Sequence, residues 1–285
     1  MTARRLKVMT GLTLLIIAAL FVLLPIYWLI AASTKSTGVL FSSNTFVPSG
    51  FASLGRNISA LFGFQGDLFR DWIVNSVVYS VVTSCLVVYV ASLTGYTLAK
   101  FKFVGRGALL ATVIGSLMIP SSVLIIPLFI LERSLSLSNS YEGVILPLIV
   151  SPFVVYFMSF YAEGAVPTSL IDAGRVDGAG ELRIFHKIAI PAMTPGLVTM
   201  FLITFIGTWN NYFLPLVLLQ NGDKYPLTVG LSIWFTDIYS SGVSQPLYPE
   251  VILGSLVSIL PMLVLFPFLQ RYVARGLTLG ALGGE

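Results

Sequence analysis

The chain has 285 residues, of which 56% are hydrophobic and only 10% charged, with a net charge of +4. A soluble globular chain carries about 25% charged residues. There is too little charge here to coat a water-facing surface, and a mean hydropathy of +0.92 makes lipid the solvent. An ordinary soluble enzyme, a disordered chain and a nucleic-acid binder are excluded. One cysteine, Cys85, leaves no intrachain disulfide framework or Cys-based metal site, and one histidine, His186, leaves no His cluster.

A helix needs roughly 20 apolar residues to cross a hydrocarbon core of about 30 Å. Six such runs are predicted: 8–32, 72–98, 108–131, 143–161, 192–220 and 251–270. None contains Asp, Glu, Lys or Arg. The predicted fold class is therefore all-α: a polytopic membrane protein with six transmembrane helices, residues 1–285 forming a single transmembrane domain. The first run follows Arg4, Arg5 and Lys7, as in a secretory signal. Its length is well beyond the apolar core of roughly 7–15 residues in a cleaved signal, so it reads as a retained helix. With the N-terminus inside, 11 of the 16 Lys and Arg fall in inside segments and 5 in outside segments. Basic residues favour the cytoplasmic side, which places both termini in the cytoplasm of a cell-membrane protein.

The outside segment 33–71 and its counterpart 221–249 are loose mixtures, too long for turns and too short for domains. The connections 99–107 and 132–141 are tight turns. The third run contributes Ser116, Ser121 and Ser122, and the fourth Ser151, Tyr156 and Ser159. Prolines sit inside the runs at 25, 120, 127, 147, 152, 215, 261 and 267. Each removes a backbone donor and tends to kink a helix. Membrane helices tolerate this when neighbours satisfy the freed carbonyls; bent helices around a pathway are the other reading.

The inside segment 162–191, AEGAVPTSLIDAGRVDGAGELRIFHKIAIP, is long, charged and patterned. Ser169 followed three residues later by Asp172 has a capping-box pattern. A short helix is predicted to about Asp177, with Leu170, Ile171, Ala173 and Val176 as its apolar residues. Gly178 interrupts it with a turn that other residues resist. Asp177 is expected to cap a second helix, with Leu182, Phe185, Ile188 and Ala189 along one side and Pro191 ending it. Two amphipathic helices around a glycine bend suit a partner's groove. An interfacial helix on lipid headgroups is the alternative, disfavoured by the near balance of acids (Glu163, Asp172, Asp177, Glu181) and bases (Arg175, Arg183, Lys187).

The fifth run carries Thr208, Trp209, Asn210, Asn211 and Tyr212. Adjacent amides in a membrane need partners, and helix–helix glue is one reading. The other is a wall facing a neutral, hydroxyl-rich solute: amides pair with sugar hydroxyls and an aromatic face covers the apolar side of a pyranose. On a continuous helix Asn210 and Asn211 diverge by about 100°, so one of the two faces the pathway. Ser121 and Ser122 are candidates for the same wall. Proton-driven carriers place ionisable groups in the membrane, and these runs hold none. A sodium-coupled carrier using carbonyls and hydroxyls stays open as an alternative. No phosphate-binding G-x-x-x-x-G-K-[ST] loop exists, no catalytic constellation is credible, and no cofactor or metal is expected.

The 162–191 segment resembles the EAA motif of ABC-importer permeases. Asp172-Ala173-Gly174 stand where that motif has Glu-Ala-Ala, Gly178 is its spaced glycine, and Ile188-Ala189-Ile190-Pro191 close it. Asp for Glu, Gly for the second Ala and Ile for Leu are the departures. Met118-Ile119-Pro120, Ile126-Pro127-Leu128, Gly207 to Tyr212, Pro226 to Gly230 and Gly276 to Gly280 extend the likeness to the shorter, six-span permease of maltose-type carbohydrate importers. The resemblance implies a second permease subunit, two cytoplasmic ATPase subunits that do the hydrolysis, and an extracytoplasmic sugar-binding protein. It also implies that 162–191 is a coupling loop seated in a cleft of the ATPase, and that the tail after the last span reaches the ATPases in some relatives.

Overall fold

The computed structural model describes residues 3–239 and 247–282, with side chains described for 8–239, 247–268 and 270. All regular secondary structure among the described residues is helical. In chain order the helices are α1 (Ala3–Ser33), α2 (Thr37–Ser42), α3 (Phe51–Gly63), α4 (Leu68–Lys100), α5 (Arg106–Ser116), α6 (Ser121–Ser134) and α7 (Tyr141–Ile145). They continue with α8 (Pro152–Ala165), α9 (Thr168–Val176), α10 (Glu181–Ile184), α11 (Ile190–Trp209), α12 (Phe213–Leu218), α13 (Leu227–Asp237) and α14 (Tyr248–Leu282). Four stretches are long and apolar enough to cross a membrane: Val8–Ser33, Leu68–Lys100, Glu181–Trp209 and Tyr248–Phe268. Two bent pairs, α5 with α6 and α7 with α8, bring the number to six if each pair is one span.

The described residues pack as two units, one within 1–70 and 230–260 and the other within 71–229 and 261–285. In the first unit, Ala32, Leu40 and Ile252 are buried together with Trp28, Leu29 and Tyr248 against them. Asn57 Nδ2 donates to the carbonyls of Ser33 (2.8 Å) and Lys35 (2.9 Å). These bonds satisfy orphan carbonyls past the end of α1, where no intrahelical donor remains. The Lys35 side chain is buried, and its ammonium donates to Ser43 Oγ at 3.0 Å and to the Asn44 carbonyl. Phe69 stacks on Trp234, whose indole donates to Gln65 Oε1 at 3.2 Å. Most of α1 between Val8 and Leu24 is exposed all round. An apolar helix of that kind requires lipid or another chain around it.

In the second unit, three spans are interrupted. The third bends by 95° between Ser116 and Ser121, and the fourth by 45° between Leu148 and Pro152. Pro120 sits just before α6 with φ −61° and ψ 128°, and Pro152 opens α8. Proline disfavours helical geometry in the residue before it and suits the first turn of the next helix. The fifth span was expected as one helix over 192–220. Instead α11 ends at Trp209, Asn210 is its C-terminal cap, and α12 restarts at Phe213. On the near side of these breaks α8 packs against α5 and α11; on the far side α12 packs against α6 and α7.

Helix packing in lipid relies on close contact and small residues, because lipid tails are as apolar as the side chains. Two glycines make such contacts with α8. A Cβ on Gly95 of α4 would stand 2.7 Å from the Met158 carbonyl carbon and the Ser159 nitrogen. One on Gly196 of α11 would stand 2.7 Å from the Tyr161 ring. Around them Val87, Ala91, Tyr96, Val154, Met158, Phe185 and Met193 form one buried cluster. At the opposite end, segment 219–227 is held by side chains of α4. Trp72 Nε1 donates to the Gly222 carbonyl (2.7 Å), Asn75 Nδ2 to Asp223 (2.7 Å) and Tyr79 OH to Lys224 (3.1 Å), while Ser76 Oγ accepts from Leu227 N–H (2.7 Å).

Pro191 does not end the second helix of the 162–191 segment. Residues 181–209 form one continuous helix, with a π-helical turn at Phe185–Ala189 in which Ile190 N–H donates to the Phe185 carbonyl. A proline normally clashes with the carbonyl four residues back and leaves it unbonded. The wider turn just before Pro191 shifts the bonding by one residue and lets the helix run on.

Candidate functional site

Helix α9 starts two residues earlier than its capping pattern suggests. Pro167 occupies the cap position with φ −63° and ψ 132°, and no side chain caps the helix. Ser169 is therefore a first-turn residue, exposed, and the expected capping box with Asp172 does not form. Asp172 instead pairs with Arg175 at 3.1 Å, one helical turn on. Asp177 is the C-terminal cap of α9 and does not open the next helix; Gly180, with φ −69° and ψ 157°, does.

Gly178 has φ 77°. Its N–H donates to the Arg175 carbonyl (3.0 Å) and Ala179 N–H to the Gly174 carbonyl (2.9 Å). That pair of bonds is a Schellman turn, which needs a left-handed residue and therefore favours glycine. A Cβ on Gly178 would meet nothing within 4 Å, so backbone conformation, not space, selects glycine here. Gly174 is different: a Cβ there would lie 3.1 Å from Ile188 Cδ1 and 3.2 Å from Ile184 Cγ1. The missing methyl lets α9 sit close against α10 and the π turn.

The turn sorts the apolar residues into two faces. Ile171, Gly174, Ile184, Phe185 and Ala189 are buried, and Ile188 is half-buried. Phe185 lies against Tyr96 (centroids 5.5 Å) and Tyr89 (6.4 Å) of α4. It was expected on a face offered to a partner, and the structure places it inside. Leu182 and Phe185 are only about 60° apart around a helix, so helical periodicity does not separate them; the rings of α4 cover Phe185 and leave Leu182 exposed. The apolar side chains that face outward are Leu170 (48% exposed), Leu182 (67%) and Val176 (87%), with Ala173 exposed beside them. Arg175 binds Glu181 Oε1 at 2.8 Å, and that bond pushes its guanidinium pKa above the ordinary value. His186, unassigned by the sequence, has Nδ1 2.7 Å from the Leu182 carbonyl and Nε2 3.3 Å from Tyr89 OH.

The polar residues of the fifth span sit at its break. Trp209 is buried and stacks on Phe205 at 5.9 Å. Asn210 is exposed and its Nδ2 donates back to the Ile206 carbonyl at 2.8 Å. The Asn211 carbonyl accepts from Thr228 Oγ1 at 2.9 Å, and Thr208 is half-buried. Because helix ends at Trp209, the 100° divergence of Asn210 and Asn211 does not apply. Ser121 and Ser122 are exposed in the first turn of α6. Ile125 of α6 and Leu214 of α12 are buried in one cluster. Ile125 is the fifth residue of α6 and Leu214 the second of α12, so the two helices meet within about a turn of the points where they restart. Glu132 lies in the last turn of α6, at a span end as expected for a charge, yet it is 3% exposed and its carboxylate has no hydrogen-bond partner among the described residues.

Residues 88–279 match the family model described as "Binding-protein-dependent transport system inner membrane component". The match takes in the α9–α10 turn and all three interrupted spans. The arabinooligosaccharides transport system permease protein AraQ of Halalkalibacterium halodurans is 37% identical over 93% of each chain. The lactose transport system permease protein LacG of Rhizobium radiobacter is 32% identical over 96% of each. A chain in the crystal structure of a bacterial ABC transporter involved in the import of the acidic polysaccharide alginate superposes with a TM-score of 0.82 at 26% identity, covering 95% of this chain and 98% of that one. These matches leave the sodium-coupled carrier without support. A helical chain with a glycine-turned loop and three interrupted apolar stretches, matched in sequence and fold over most of its length, belongs to the family of inner membrane components of binding-protein-dependent transport systems.

Proposed function

We propose that the chain is one permease subunit of an ATP-driven ABC importer and forms half of the translocation pathway for a sugar or oligosaccharide. Its permease relatives carry arabinooligosaccharides and lactose in their names, which supports the substrate class. A second permease completes the pathway, two cytoplasmic ATPase subunits hydrolyse ATP, and an extracytoplasmic binding protein delivers the solute. The chain itself is not an enzyme. Both termini and segments 99–107 and 162–191 face the cytoplasm, in keeping with the 11-to-5 basic count.

The observation that carries the reading is the apolar outer face of α9 and α10: Leu170, Ala173, Val176 and Leu182 project from a turn locked by Gly178, with Ile171, Ile184 and Phe185 anchoring it from behind. A short helix with such a face fits a hydrophobic groove, here a cleft of the ATPase. Ser169, Asp172 and Asp177 rim the face, Gly174 and Ile188 set its depth, and Pro191 joins it to the fifth span. For solute, Asn210, Thr208, Asn211, Ser121 and Ser122 at the span breaks offer amide and hydroxyl groups, with Trp209 behind them. The test is purification of the complex in mild detergent. Val176→Asp and Leu182→Asp should release the ATPase while the permease reaches the membrane at the normal level. Full ATPase retention with normal uptake in both variants would overturn the coupling role of this loop.

A further inference from the structure

The Arg175 side chain, on α9, reaches two other elements of the chain. Its Nε lies 2.8 Å from Glu181 Oε1 of α10, its Nη1 3.1 Å from Asp172 Oδ1 of α9, and its guanidinium carbon 5.9 Å from the centroid of the Phe101 ring. Phe101 follows α4 directly, with its N–H on the Thr97 carbonyl (3.1 Å) and its ring edge-on to Tyr96 at 5.8 Å. Helix α10 is continuous with the fifth span. One planar cation thus bridges α9, the second span and the fifth span.

Stability is a poor explanation for this arrangement. The paired side chains are 42%, 61% and 46% exposed, and exposed ion pairs contribute little, with long side chains held at an entropic cost. What the bridge supplies is geometry. Across the Gly178 turn run two backbone hydrogen bonds and the apolar packing of Gly174 on Ile184 and Ile188, which keeps α9 close but has no directional bond to stop it sliding. A push on α9 alone would flex that turn. With the guanidinium fork holding Glu181 on one side and the Phe101 face on the other, α9 and both spans move together. Arginine suits this because its rigid fork binds carboxylate while its flat face stacks on an aromatic ring.

We propose that Arg175 is a positioning residue that ties α9 to the second and fifth spans through Glu181, Asp172 and Phe101, so that ATPase motion delivered to α9 reaches both spans instead of dissipating in the Gly178 turn. This rests on the coupling role of α9. It predicts loss of coupling without loss of assembly: the ATPase stays bound and active, and fewer solute molecules enter per ATP.

The test uses the whole complex in proteoliposomes, with radiolabelled sugar uptake and phosphate release measured together. Arg175→Ala should raise the ATP hydrolysed per sugar imported by about tenfold, within the roughly 5- to 150-fold range of coupling between sites. ATPase copurification and the melting temperature should stay at the wild-type level. Arg175→Lys keeps the charge without the fork and should be intermediate. Arg175→Glu should be uncoupled, and adding Glu181→Arg should recover about threefold or more, the signature of a direct pair in a double-mutant cycle. A wild-type ratio in Arg175→Ala overturns the proposal. So does loss of the ATPase from that variant, which would make Arg175 a contact to the ATPase, and so does a swap no better than Arg175→Glu alone. Failure of the underlying coupling role reads out elsewhere, as normal ATPase retention and uptake in Val176→Asp and Leu182→Asp.

Discussion

At the scale of single residues, backbone conformation and burial make separable demands. Gly178 has room for a side chain but a left-handed backbone. A Cβ in that conformation costs about 1–2 kcal/mol, and asparagine tolerates it better than a β-branched residue. Gly178→Asn should therefore keep most transport, while Gly178→Val should lose most of it, with membrane insertion normal in both; equal uptake by the two variants would remove the backbone argument. Phe185 makes the opposite demand. Buried against Tyr96 and Tyr89, it should not tolerate charge. Phe185→Asp is expected to lower the amount of folded permease recovered from the membrane, not to release ATPase from an intact one. Glu132 is a third case. Its carboxylate is buried without a partner among the described residues, a costly state. Glu132→Met should raise the melting temperature in detergent.

At the scale of helices, the glycines of α4 and α11 decide how closely α8 is held. Gly95 faces the backbone of Met158 and Ser159, and backbone cannot give way without moving the whole of α8. Gly196 faces a ring, which also has little freedom. Overpacking of this kind costs about 1–3 kcal/mol. Gly95→Ala and Gly196→Ala should each lower thermal stability of the purified subunit, Gly95 by more. Gly207→Ala is the control. It lies in the same helix as Gly196 with nothing within 4 Å of a Cβ, and alanine is the better helix former by about 1 kcal/mol. It should leave stability unchanged or raise it.

At the scale of the molecule, orientation is the property to measure. Single cysteines introduced at Ser36 and Ser134, both exposed, should react with an impermeant thiol reagent in intact cells carrying Cys85→Ser. One at Thr168, equally exposed at the start of α9, should react only after lysis. The reverse pattern would invert the topology and put α9 beyond the reach of a cytoplasmic ATPase.

Composition and the distribution of charge were enough to determine an all-helical membrane chain, because uncharged runs of that length have no other stable environment. The spacing of Asp172, Gly178 and Pro191 was enough to locate the loop, because a glycine bend between two short amphipathic segments is a local property. The spans' interruptions were less legible. Pro120 and Pro152 were visible, but whether a proline bends a membrane helix or is absorbed depends on what its neighbours can bond. The same residue type broke the third and fourth spans and was carried through at Pro191 by a π turn. Periodicity also failed to say which side of α10 faces inward. Phe185 and Leu182 are both apolar and lie on neighbouring positions of one helix side, and only the aromatic rings of α4 decide which is buried. Likewise Arg175 reads along the sequence as one more base on a mixed surface. Its bridge to Phe101 spans more than seventy residues of chain, a proximity that helix packing creates and sequence spacing does not encode.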